Sequence, residues 1–460
     1  MQPEEYIVNL VGHEGPGSIL AELKKRGWSG HLNCDHIRYA NGFGFFEIKV
    51  DLTDEGYENM DKIVKLIFQY LSMIKELGIK EWIFEEYRNL KDIDFRFEDE
   101  KNSVELVKKT VSAMRHYPLP EVLCAPVVVT EWRPDLIKFV LDMLNPKNLR
   151  IVIVDQTSYW KCVNIEKIYG TRYGFEAIPP STIRDWTICG SDPNLKLPQP
   201  NLFIPSVFEF LPIENWKQTF PKIIRDSSLI RVWFKQDTEF RKPKSIMTIE
   251  LKNPTIHCDP LSWNLTHLFV WLLEDHLKEH FYVAELAGMD CKLSVTTSGI
   301  RIYIEGFSQK QDVFLETILK EIFRFKFTQR RFEDTYDSYL SDLKSVKAGR
   351  PQHVAIYFLG VVLTENTWTN EELIQSMKFI TMRRLQSFIK EVLTQTHAEC
   401  FIFGNVNEDK AFQLSTLVED RLDKAKAGNL SKSSMVFILA SMTMRERLLP
   451  EGKIEMILVL

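Results

Sequence analysis

An α+β fold is predicted here: a tandem of two related α/β sandwich domains, strands packed under helices, joined by a proline-rich linker. Three observations predict it. Strand-like and helix-like hydrophobic periods alternate along the chain. Residues 190–222 hold six prolines and show neither period. The order of elements before that stretch recurs after it.

The first residues, YIVNLV, read as an apolar strand. Pro16, Gly17 and Ser18 then open a short helix with Ile19, Leu20 and Leu23 on one face, ended by Gly27. After an Asn41-Gly42 turn, FGFFEIKVDLT alternates as a strand. Met60, Ile63, Val64, Ile67, Leu71 and Ile74 repeat at helical spacing up to Gly78, and KEWIFEEYRNLKDIDFRF makes a second helix to about Phe97. RPDLIKFVLDML is a helix with Pro134 in its first turn. It breaks at Asn145-Pro146-Lys147-Asn148, and a buried strand follows from Leu149 to Val154.

Beyond the linker, RIYIEGF and the two helices after it echo FEIKVDL and its two helices. Leu52 and Phe307 stand 255 apart (307 minus 52), Leu136 and Leu385 249 apart (385 minus 136), and Ile151 and Phe401 250 apart (401 minus 151). Three similar offsets mark a repeat. The boundaries are a first domain at 1–189, the linker at 190–222, a second domain at 223–432, and at 433–460 the opening of a further one, ending on the strand-like GKIEMILVL.

Composition excludes several classes. At 460 residues and 45% hydrophobic content the chain can bury more than one core. Its 58 basic and 63 acidic residues are interspersed, without the basic stripe of a nucleic-acid protein. Seven scattered cysteines with no CxxC pair fit reduced thiols and a cytoplasmic location. No signal peptide is visible, and the longest apolar runs (IVIV, VFILA, ILVL) are far too short to span a membrane. The sequons at Asn264 and Asn429 are then idle.

The sharpest chemical string is HLKEH at 276–280, two imidazoles one helical turn apart with Glu279 beside them, a zinc-binding spacing. A third ligand is wanted from a later helix. The repeat places it near Tyr339, which is no carboxylate, and Asp337 lies two positions, about 200°, around a helix. No metal is therefore expected there. His13-Glu14-Gly15-Pro16-Gly17-Ser18 sets an imidazole beside a carboxylate but reads as a turn that opens a helix. Gly15-x-Gly17 and Gly42-x-Gly44 lack the third glycine of a nucleotide loop. The aromatics Phe43, Phe45, Phe46, Trp82, Phe84 and Tyr87 read as core filling.

GHEGPGSILAELKKRGW, GFGFFEIKVDLTDEG, RPDLIKFVLDMLNPKNLRIVIV, AIPPSTIRDW, RVWFKQD, FYVAELAG and RRFEDTYDSYLSDL resemble, in order and over almost the whole chain, the pitrilysin-type zinc metallopeptidases. The resemblance is to the branch of insulin-degrading enzyme (insulysin) and nardilysin. It implies four related α+β domains in two halves that close on a chamber, with zinc held by HxxEH in the first. It places this chain from within the second domain, through the third, to the start of the fourth. No catalytic or metal residue is then expected on this chain, and zinc is a cofactor of the family only. What the resemblance does imply here is part of a site that holds a peptide's N-terminal end by strand addition: Gly12, Glu14 and, on the next strand, Leu32. The family's glycine-rich turn after Leu32 reads Asn33, Cys34, Asp35 in this sequence, and its basic residues after FRF read Asn102 and Val104.

The leading expectation is thus a catalytically silent, zinc-free fragment or paralogue that binds peptides. The alternative is an active zinc metalloendopeptidase, through HLKEH or as part of a longer enzyme. A third reading is a structural chain that self-associates or docks on a separate catalytic partner. Nucleic acid and membrane are not expected as partners.

Overall fold

A computed structural model describes residues 3–40, 43–98, 102–155, 162–214, 218–345, 351–363 and 367–425, with the backbone alone at 38–40, 279, 280 and 362. The Asn41-Gly42 turn, Asn429 and the 433–460 segment lie outside the described residues. Two compact units emerge, Met1–Asn201 and Leu202–Leu460.

The first unit runs α1 (Glu4–Val11), α2 (Ile19–Arg26), the antiparallel hairpin β1 (Ser29–Ala40) and β2 (Phe43–Leu52), then α3 (Asp54–Glu58), α4 (Met60–Leu77), α5 (Glu81–Arg96), α6 (Ser103–Ala113) and α7 (Pro134–Met143). A short ribbon, β3 (Asn164–Ile165) with β4 (Arg172–Tyr173), and α8 (Pro180–Thr187) complete it. YIVNLV, expected as a strand, belongs to α1. Tyr6, Ile7, Leu10 and Val11 are buried at helical spacing, and Glu4 and Glu5 occupy the first turn, where the helix dipole favours acids. The helix expected after Ser18 is α2. The Ser18 hydroxyl accepts from the Ala21 N–H at 3.1 Å, and Gly27 closes the helix at φ 72°.

A two-stranded ribbon is marginal by itself, so the core must hold it. Leu32 of β1 joins Leu10, Leu20, Leu23, Leu66, Tyr70, Phe84, Ile137 and Trp186 in one cluster. Burying each aliphatic side chain stabilises by about 1.5–3 kcal/mol, more than the local propensity of these short helices supplies. Phe43 and Phe45, expected as core, are exposed and meet each other edge to face. Phe84 is buried, and Phe46 and Trp82 pack against the cluster.

The buried strand expected from Leu149 to Val154 does not form. The segment has no ladder partner among the described residues, and Val152 and Val154 are 85% and 95% exposed. Residues 189–201 are tied to the first unit. Gln69 Nε2 donates to the Cys189 carbonyl at 2.9 Å, the Lys196 N–H donates to the Gly17 carbonyl at 2.9 Å, and the Asn201 N–H donates to Glu86 at 2.9 Å.

The second unit comprises β5 (Lys222–Asp226), β6 (Ile230–Gln236), β7 (Lys244–Lys252), α9 (Pro260–Leu286), β8 (Asp290–Val295), β9 (Gly299–Phe307), α10 (Gln311–Arg324), α11 (Gln329–Ser345), α12 (Pro351–Leu363), α13 (Asn370–Met377), α14 (Met382–Thr394), β10 (His397–Gly404) and α15 (Glu408–Lys424). Its six strands form one sheet in the order β5-β6-β10-β7-β9-β8. The late strand β10 inserts between two early ones, parallel to β6 and antiparallel to β7. Alternate residues point inward: Val232 and Phe234, Met247 and Ile249, Ile302 and Ile304, Cys400 and Ile402 are all at most 1% exposed. Helices cover that face through Leu268, Phe314, Ile318, Val392 and Leu414, so strands lie under helices as expected.

Candidate functional site

Gly12 caps the end of α1, its N–H donating to the Val8 carbonyl at 2.8 Å. A Cβ there would stand 3.4 Å from Cys34 Cβ, so the end of α1 lies directly against β1. His13 turns inward, 6% exposed, and its Nδ1 accepts from the Gly15 N–H at 3.0 Å. Burial holds this imidazole down to about 4 from an ordinary 6.5, so it is neutral at pH 7. Glu14 faces α2 instead, 3.9 Å from Lys24 Nζ and half-exposed.

Leu32 is 3% exposed and part of the core, so its backbone alone can meet a ligand. It sits opposite Val50 of β2, and Cys34 sits opposite Ile48. Asn33 and Asp35 alternate outward, joined by a hydrogen bond of 2.6 Å. β1 pairs with β2 alone among the described residues. The structure therefore brings Gly12 and the Leu32–Cys34 strand together and sends the Glu14 side chain elsewhere. Burial, with Asp35 and Glu5 nearby, pushes the Cys34 thiol up, which rules it out as a nucleophile at neutral pH.

HLKEH lies on α9. Its first histidine is engaged by α10, with His276 Nε2 3.0 Å from Glu321 Oε2. The side chains of Glu279 and His280 lie outside the described residues. Tyr339, where the repeat would place a third ligand, is 3% exposed and donates its hydroxyl to Asn264 Oδ1 at 2.9 Å, while Asp337 is exposed. Among the described residues no three His, Cys, Asp or Glu side chains converge as a metal site. No zinc step is derived from the described residues. The sequon Asn264 is fully buried and donates to the Leu373 carbonyl and Ser376 Oγ, which leaves no room for a glycan. All seven cysteines are unpaired, and no helix among the described residues is long and apolar enough to cross a membrane.

Sequence reasoning missed an ion cluster beside this site. Arg26 donates to Glu22 Oε1 and to Asp192 Oδ2, each at 2.7 Å, and Glu22 is 6% exposed. The sole signal was Glu22 four residues before Arg26 on one helix.

Comparison with known proteins matches two successive family domains, the second beginning within the first compact unit. Residues 2–91 match the peptidase M16 inactive domain, and residues 95–376 match the middle or third domain of peptidase M16. The chain is 44% identical over 428 residues to the insulin-degrading enzyme of Drosophila melanogaster, covering 93% of this chain and 43% of that protein. It is 38% identical over 420 residues to the insulin-degrading enzyme of Homo sapiens, covering 91% of this chain and 41% of that one. A crystal structure of pitrilysin shares the fold at a TM-score of 0.76 and 24% identity, over 93% of this chain and 45% of that one. The chain thus spans about two fifths of the length of the curated relatives it matches. With its fold, its two domain matches and these identities in agreement, the chain belongs to the peptidase M16 family, among the insulin-degrading-enzyme-like members.

Proposed function

We propose that this chain is a non-catalytic, peptide-gripping portion of an insulin-degrading-enzyme-like peptidase, working in the cytoplasm. It carries no catalytic or metal-binding residue of its own, and any zinc would belong to other parts of such an enzyme or to a partner chain. The observation that supports this most is the side of β1 with no strand beside it among the described residues, next to Gly12, within residues matching the inactive domain. An extended peptide laid along that side would gain main-chain hydrogen bonds, and its N-terminal end would lie near the Gly12–Glu14 turn. The unpaired cysteines support the cytoplasmic assignment.

Fluorescence anisotropy of a labelled extended peptide with a free N-terminus tests this, alongside mass spectrometry of the same mixture. Saturable binding without cleavage is expected, weakened in a Gly12→Val variant that crowds the approach to Cys34. Cleavage that survives repurification, or binding indifferent to Gly12→Val, would overturn the proposal.

A further inference from the structure

The second unit contains a pocket of about 400 Å³ between α9, α11, α12 and the start of α13. His267 and Trp271 of α9, Tyr339 and Asp342 of α11, Tyr357 of α12, and Trp368 line it. A packed core of this composition would be closed; this one stays open, at a size typical of small-ligand sites.

Its polar groups point to one class of ligand. Tyr339 is committed through its hydroxyl to Asn264, and Tyr357 accepts from the Asn370 N–H at 2.6 Å, so both offer their rings. Trp271 meets Tyr339 at 77°, so their planes form two walls of a corner. His267 Nε2 and Trp368 Nε1 are buried with no hydrogen-bond partner among the described residues, a state that asks for an explanation. Asp342 is the sole charged residue in the lining, is exposed, and makes no ion pair among the described residues. Aromatic walls with one carboxylate, and no cation among the described lining residues, attract positive charge.

We propose that this pocket binds an organic cation, the alkylammonium or guanidinium end of a lysine or arginine side chain. Asp342 is the counter-ion and the rings of Trp271, Tyr357 and Trp368 surround the cation. A neighbouring amide of the ligand can satisfy the His267 and Trp368 nitrogens. The pocket lies wholly in the second unit, and the inference does not rest on the strand-addition reading.

Calorimetric titration of the full chain tests it with the capped amides of arginine, lysine and trimethyl-lysine, against the neutral isosteres citrulline and norleucine. At least one cation should bind at least about tenfold more tightly than its isostere, and more tightly at low salt. Asp342→Asn, an exposed change that leaves the core alone, should weaken it about tenfold, as should Trp271→Leu. No saturable heat with any cation, equal binding of the neutral isosteres, or unchanged affinity in a folded Asp342→Asn chain would overturn the proposal.

Discussion

His276 Nε2 and Glu321 Oε2 stand 3.0 Å apart, joining α9 to α10 through the first histidine of HLKEH. That pair gives the imidazole a structural task, since a half-buried hydrogen bond to a carboxylate fixes the ring. Purified chain is accordingly expected to carry far less than one zinc per molecule by elemental analysis. Stoichiometric zinc that is lost in His276→Ala would contradict this.

The turn after α1 depends on Gly15. A Cβ there would lie 2.5 Å from His13 Cε1, and the buried ring cannot move without losing its bond to the Gly15 N–H. Gly15→Ala should destabilise the chain by about 1–2 kcal/mol. Gly30→Ala, where a Cβ would meet nothing within 4 Å, should change stability by less than about 0.5 kcal/mol. Urea midpoints for the two variants check the contrast; equal midpoints would count against the turn's role.

Acid should weaken the fold through its buried histidines. Burial holds His13 to about 4, and burial with His257 nearby does the same to His267; His257 and His397 shift in the same direction. Above pH 6.5 neither state binds these protons and stability is full. For His13 and His267, between 6.5 and about 4 the unfolded chain takes the protons up and the folded chain does not, so stability falls by at most about 1.4 kcal/mol per pH unit for each, and His257 and His397 act in the same direction. His13→Asn, which keeps an acceptor without a titrating ring, should flatten the slope of midpoint against pH in that window. An unchanged slope would remove His13 from the account.

Residues 190–222 should be cut first in limited proteolysis, since no helix or strand protects residues 190–214 or 218–221. Arg26→Ala, which removes the link to Asp192 and leaves Glu22 buried beside fewer cations, should quicken cleavage within 190–201 several-fold. Peptide mapping by mass spectrometry reads both; a first cut inside α4 or α5 would contradict the expectation.

Much of the helical frame was legible because each helix carries both period and punctuation. Ser18 and Gly27 bracket α2, and Gly78 follows α4. YIVNLV misled because a continuous apolar run cannot separate a buried helix from a strand by period alone. Leu149–Val154 misled for a different reason. Its apolar residues have the composition of a buried strand, but composition cannot supply the neighbouring strands a ladder needs, and the segment has no ladder partner among the described residues. Gly12, Glu14 and Leu32 came from resemblance; spacing could not have shown that α1 approaches Cys34. The aromatic pocket did leave a trace, Trp263, His267 and Trp271 at successive turns of one helix, but such a stripe reads as core until the cavity beside it is seen.

Hydrogen exchange at the β1 amides tests the central claim, that this chain grips peptides by strand addition. With a saturating extended peptide, amides of residues 32–36 should slow markedly, while those of β9, already inside a sheet, stay unchanged. A peptide N-methylated at alternate residues, unable to donate its half of the ladder, should give no protection. Equal protection by both peptides, or none by either, would contradict the account.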